Sequence, residues 1–76
     1  MKFYQRLKDV REDRDIKQAT VAAKLGMKQP QYSRYELGKQ ELPLHHYKTL
    51  AQFYNVSVDY LCGLIPTPRP LHEDKA

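Results

Sequence analysis

The chain's three glycines, Gly26, Gly38 and Gly63, each stand directly after a short run of residues with helical apolar spacing. Glycine enters the left-handed backbone region without a Cβ penalty, so it is the natural residue just past a helix end. A chain punctuated in this way folds into short helices. No period-two alternation of a strand competes with that reading anywhere along it.

The helices can be placed one by one. Phe3, Leu7 and Val10 recur at i, i+4 and i+7 with Lys and Arg between them, which predicts a first helix. It should stop near Asp13–Asp15, because Asp tolerates the left-handed conformation, though less well than Gly. Ala19, Val21, Ala22 and Leu25 mark a short second helix. A third covers about residues 28–37, with Pro30 in its first turn, where a missing amide costs nothing. After the loop KQELP, Leu44, Tyr47, Leu50, Ala51 and Tyr54 give a fourth. Ser57 is a suitable N-cap for a fifth that holds Val58, Leu61 and Cys62, with Asp59 near its N-terminal dipole. Prolines 66, 68 and 70 then exclude a helix. The expected fold class is all-α: a compact five-helix bundle over residues 1–64 with an extended Pro-rich C-terminal tail over 65–76.

At 76 residues the chain is expected to form one small domain. Such a chain buries only ~60% of its unfolded surface, which excludes a catalytic cleft between domains and a large ligand cavity. No apolar run approaches the ~20 residues that span a bilayer, and the N-terminus MKFYQRLKD has no signal-peptide core, so no membrane association and a cytoplasmic location are expected. The single cysteine, Cys62, forms no internal disulfide, and no ligand set for a metal surrounds it. No Ser-His-Asp set, paired acid/base carboxylates or phosphate loop appears. Neither an enzyme nor a cofactor is expected.

Charge is distributed unevenly. Residues 17–39 carry five basic groups and one acidic group, whereas residues 1–16 carry five and four, and residues 40–76 three and four. The net charge of +4 is thus concentrated in the second quarter of the chain. A local basic patch suggests a polyanionic partner, most simply nucleic acid, although a net positive surface also serves solubility alone.

Within that quarter, KQATVAAKLGMKQPQYSRYELG (residues 17–38) reads as two short helices joined by a tight turn at Gly26. Ala22, four residues before the glycine, is small enough for the helices to approach closely at a wide angle. This is a helix-turn-helix arrangement, whose second helix enters the major groove. With Tyr32 set at 0° and a helical step of about 100°, Tyr35 falls near 300° and Glu36 near 40°, so these three face inward. Pro30, Leu37 and Arg34 face outward, flanked by Ser33 and Gln31, and Lys28 and Gln29 lead the helix into the groove. Gln, Ser and Arg suit the reading of base edges, and the same residues also make an ordinary solvated surface.

Arg11, Gln18, Ala22, Leu25, Gly26, Gln29, Arg34, Glu36, Gly38 and Lys39 stand in register with one another in a pattern that resembles the Xre/Cro-type helix-turn-helix family of phage and bacterial repressors. LAQFYNVSVDYL resembles that family's fourth and fifth helices, and the likeness covers roughly residues 3–64. The resemblance implies a five-helix domain of the phage-repressor DNA-binding type. It also implies a sequence-specific transcriptional regulator, a repressor, that binds an inverted-repeat operator in double-stranded DNA as a homodimer. Gln18 matches a phosphate-contacting position that also braces the next Gln. Gln29 matches the first base-reading position, which suits adenine, and Arg34 matches one that suits guanine. Gln31 and Ser33 complete the base-reading face. Lys39 matches the backbone-docking loop, and Arg11 and Glu36 match an ion pair between the first and third helices.

The sequence departs from the family at five positions. Lys17 and Lys28 stand where capping Ser or Thr is common, exchanging a cap for a positive charge close to where phosphate should lie. Pro30 biases Gln29 toward an extended conformation and toward becoming the N-cap itself. Tyr32 replaces an aliphatic core residue, so its hydroxyl needs a partner or the rim. Leu37 replaces an Asn before Gly38.

Val58, Leu61, Leu64 and Ile65 form the expected dimer interface, with inward packing against Leu50 and Phe53 as the other possibility. Tyr47, Tyr54 and Tyr60 fall at apolar positions suited to core or dimer packing. His45 and His46 point about 100° apart on a helix, which with His72 leaves ordinary surface histidines and no metal site. The alternative function is a protein-interaction module, such as an antitoxin that neutralises a partner protein and autoregulates its operon. Such a chain more often carries a longer extension than the twelve residues after Leu64.

Overall fold

The computed structural model describes residues 4–70. Five helices follow in chain order: α1 (Gln5–Asp13), α2 (Gln18–Lys24), α3 (Gln29–Glu36), α4 (Leu44–Tyr54) and α5 (Val58–Leu61). No strand occurs among the described residues. Leu7 and Val10, on the apolar face of α1, are buried; Phe3, expected beside them, lies outside the described residues.

The helix ends follow from their sequences. Gly26 takes φ 73°, and Met27 N–H then donates to Ala22 O at 2.9 Å, closing α2. α1 ends without glycine: Asp15 adopts φ 54°, and Ile16 N–H reaches back to Arg11 O at 3.2 Å. Asn55 does the same after α4 with φ 55°. Asp and Asn are the non-glycine residues that enter this region most readily. At the other ends, Ser57 Oγ accepts from Tyr60 N–H at 3.2 Å, whereas Lys17 and Lys28 cap α2 and α3 with extended backbone and no side-chain bond. Lys28, not Gln29, is therefore the N-cap of α3. Gln29 is already helical although it precedes Pro30, and the extended conformation expected of it falls one residue earlier.

One core joins α1 through α5. Leu7, Val21, Tyr32, Leu50 and Leu61 are each at most 1% exposed within it. Ala19 and Leu44, placed by spacing on apolar faces, instead sit at the surface in the first turns of their helices. Arg6 of α1 and Arg14, its C-cap, tie distant parts together. Arg14 Nη2 donates to Tyr54 O at 3.1 Å. Arg6 Nη1 donates to Tyr60 O at 3.0 Å and Ile65 O at 3.1 Å, with its guanidinium 4.1 Å above the Tyr60 ring. The chain beyond α5 turns back, so that Ser57 N–H donates to Arg69 O at 2.8 Å. Residues 71–76, His72 among them, lie outside the described residues.

Candidate nucleic-acid interface

α2 packs against α3 across the Gly26 turn, with Ala22 only 1% exposed. Behind this pair runs a continuous chain of polar contacts from α1 to the start of α3. Arg11 Nε donates to Glu36 Oε2 at 2.7 Å, and Nη2 donates to Oε1 at 3.1 Å. Gln18 Nε2 donates to the same Oε1 at 2.9 Å. Gln29 Nε2 then donates to Gln18 Oε1 at 2.7 Å.

Each link has a chemical reason. Glu36 is 5% exposed, and an unpaired carboxylate there would be costly, so a bidentate guanidinium compensates it. Burial pushes the Glu36 pKa up, but the hydrogen bonds from Arg11 and Gln18 outweigh this and hold it below the ordinary value. The same hydrogen bond raises the Arg11 pKa. With one amide hydrogen engaged by Gln18, Gln29 retains a second N–H and its carbonyl oxygen. That is the donor–acceptor pair that fits adenine N6 and N7.

The outward side of this unit is polar and cationic. Gln29, Gln31 and Arg34 are exposed and Ser33 is half-buried, while Tyr32, Tyr35 and Glu36 face the core. Lys17, Lys24, Lys28, Arg34 and Lys39 are all exposed. The one acid among residues 17–39, Glu36, is buried and matched by Arg11. Five cations therefore face solvent here with no exposed acid between them. Pro30 and Leu37 are also exposed.

The other expected residues fall less simply. Leu61 is fully buried in the core and leaves the expected dimer interface; its inward packing on α5 is the physical reason. Leu64 is 74% exposed, and Val58 and Ile65 are half-buried. Leu50 is buried, but Phe53 reaches the surface, where Lys24 Nζ lies 5.6 Å from its ring centroid. Tyr47 and Tyr54 belong to the core, and Tyr60 lies half-buried under Arg6. The hydroxyls of Tyr32 and Tyr54 are buried without a hydrogen-bond partner. Burial, together with the Glu36 carboxylate, pushes the Tyr54 pKa up to about 12.

The His45 and His46 rings lean together, with centroids 4.0 Å apart, because side-chain rotation overcomes the divergence of their Cβ directions. Among the described residues no group of three or more His, Cys, Asp or Glu side chains is placed to hold a metal ion. No helix among them is long and apolar enough to cross a membrane. Sequence reasoning missed Arg6, Arg14 and Tyr4, whose ring lies against Gly38. Their partners are 34 to 59 residues away in the chain, beyond the reach of any periodicity argument.

Residues 7–61 match the family model described as helix-turn-helix. The chain is 36% identical over 73 residues to the uncharacterized HTH-type transcriptional regulator YobD of Bacillus subtilis (strain 168), covering 96% of this chain and 65% of that one. It is 42% identical over 62 residues to the uncharacterized HTH-type transcriptional regulator YqaE of the same organism, covering 78% and 51%. Over 56 residues it is 36% identical to the cryptic phage CTXphi transcriptional repressor RstR of Vibrio cholerae, covering 74% and 50%. The chain thus spans between half and about two thirds of the length of these relatives. No solved structure gives a significant match.

Proposed function

Because the chain belongs to the helix-turn-helix family, we propose that it is a sequence-specific double-stranded-DNA-binding transcriptional regulator, a repressor, that reads the major groove with α3. The observation that carries this reading is the surface of α2 and α3: five exposed cations, and the lone acid drawn inward to Arg11. Such a surface attracts the phosphate backbone and repels nothing on it. Lys17, Gln18, Lys28 and Lys39 contact phosphate, and Gln29, Gln31, Ser33 and Arg34 face base edges. The three relatives are named for transcription and not for binding a partner protein, which favours this reading over the antitoxin one.

A single α3 of eight residues meets only a few base pairs, so two copies are needed for selection against a genome. The chain acts as a homodimer on an inverted repeat, with recognition helices about 34 Å apart. Val58, Leu64 and Ile65 supply the pairing surface; the exposure of Leu64 supports this. Repeated selection from random duplex DNA tests the proposal. Recovery of one inverted-repeat motif is expected, and a selected pool without any motif would overturn it.

A further inference from the structure

We propose that Tyr4 is a positioning residue for DNA docking: its ring, seated against Gly38, holds the turn that carries Lys39 onto α1. The proposal rests on the DNA-binding reading above, in which Lys39 contacts phosphate.

The contact leaves no room for a side chain at position 38. A Cβ built on Gly38 would collide with Cε1 and Cζ of the Tyr4 ring and stand 2.6 Å from Cδ1. The ring occupies the space where any side chain at position 38 would go. Gly38 also adopts φ 77°, so glycine is required there twice over, once by the backbone and once by this packing.

The turn is bonded rigidly to α3. Gly38 N–H donates to Tyr35 O at 3.2 Å, and Lys39 N–H donates to Arg34 O at 3.0 Å. A ring pressed on Gly38 therefore fixes Lys39 and the end of the recognition helix together. On the other side, Tyr4 leads directly into α1, and Leu7 N–H donates to Tyr4 O at 3.2 Å.

α1 consequently grips the end of α3 at two places. Arg11 holds Glu36, and Tyr4 abuts Gly38. Seven residues, or about 10 Å along a helix, separate the two grips on α1. Core packing of Tyr32 and Tyr35 holds the body of α3, and the Tyr4 contact extends that hold to the turn beyond its end. Lys39 is exposed and follows Gly38 directly, so a shift of this turn carries the cation with it.

The experiment compares the 76-residue chain with Tyr4→Ala, Tyr4→Phe, Lys39→Ala and the Tyr4→Ala/Lys39→Ala double variant, titrated against the selected duplex over a range of salt. Lys39→Ala lowers the slope of log affinity against log salt by about one. Tyr4→Ala is expected to lower it by the same amount and weaken binding by the same factor. Tyr4→Phe retains the wild-type slope, and the double variant binds no more weakly than Lys39→Ala. If Tyr4→Ala does not fold, Tyr4→Leu, which keeps apolar bulk but withdraws the ring, is read in the same way. A full wild-type slope in the Tyr4 variant, or two losses that multiply, overturns the proposal. If Lys39→Ala itself leaves the slope unchanged, the phosphate role of Lys39 fails and this proposal falls with it.

Discussion

Gln29 donates a side-chain N–H to Gln18 Oε1 at 2.7 Å, across the turn that separates α2 from α3. Gln18 is itself held by Glu36, and Glu36 by Arg11, so the first residue of α3 is oriented from α1. An exposed amide otherwise rotates freely and presents several hydrogen-bonding patterns. Here one remains.

Gln18→Ala should therefore relax base preference at the same base pair as Gln29→Ala, although Gln18 is assigned to phosphate. The two losses should be strongly non-additive, because both remove one oriented amide. Binding titrations on duplexes varied at single positions measure this. Independent, additive effects at different base pairs would show that the brace does not matter for recognition.

The buried pair makes stability depend on acid. The Glu36 pKa is lowered on folding from an ordinary value of 4.5, so its contribution is complete above 4.5 and is lost as pH falls through the folded value. Glu36→Gln leaves Arg11 without its counter-charge and should destabilise the domain by ~3–5 kcal/mol at neutral pH. The variant's denaturation midpoint should also fall less steeply than wild type's below pH 4.5. Urea titrations across a pH series check both, and parallel pH curves would contradict the assignment.

The Tyr32 hydroxyl is buried in the core without a well-formed hydrogen bond. The nearby Glu36 carboxylate raises its pKa beyond the effect of burial, without a hydrogen bond of regular geometry between them. Tyr32→Phe should be neutral or stabilising by up to ~1 kcal/mol in chemical denaturation. A loss above ~1 kcal/mol would mean that the hydroxyl is satisfied.

Lys17 and Lys28 cap their helices without a side-chain bond. Lys17→Thr and Lys28→Ser should each raise stability by ~0.5–1 kcal/mol. Each should also weaken binding to all DNA sequences alike and reduce the salt slope by about one. Thermal melts and salt titrations on the same variants separate the two effects. A variant that gains stability with an unchanged slope would remove that lysine from the phosphate set.

Which parts of this were legible in the sequence depends on the range of the interaction. The ends of α2 and α3 follow from Gly26 and Gly38 because a helix end is a local backbone event. The inward set of Tyr32, Tyr35 and Glu36 follows from the helical step, which is equally local. α5 spans only four residues, too few for periodicity to separate buried Leu61 from exposed Leu64. In the sequence Arg6 is one of several basic residues between the apolar positions of α1. Its partners, the carbonyls of Tyr60 and Ile65, are backbone groups that no residue pattern marks. The seat of Tyr4 on Gly38 was hidden for a related reason: the glycine was already accounted for by its φ, so nothing called for a second explanation.

The most direct test of the outward face of α3 is the base preference of Gln29→Ala and Arg34→Ala, measured on the selected duplex with every base pair varied in turn. Each variant is expected to lose ~1–3 kcal/mol on the selected site and to become indifferent at one base pair, a different one for each. If both bind tightly and keep the complete wild-type preference, α3 does not read the DNA.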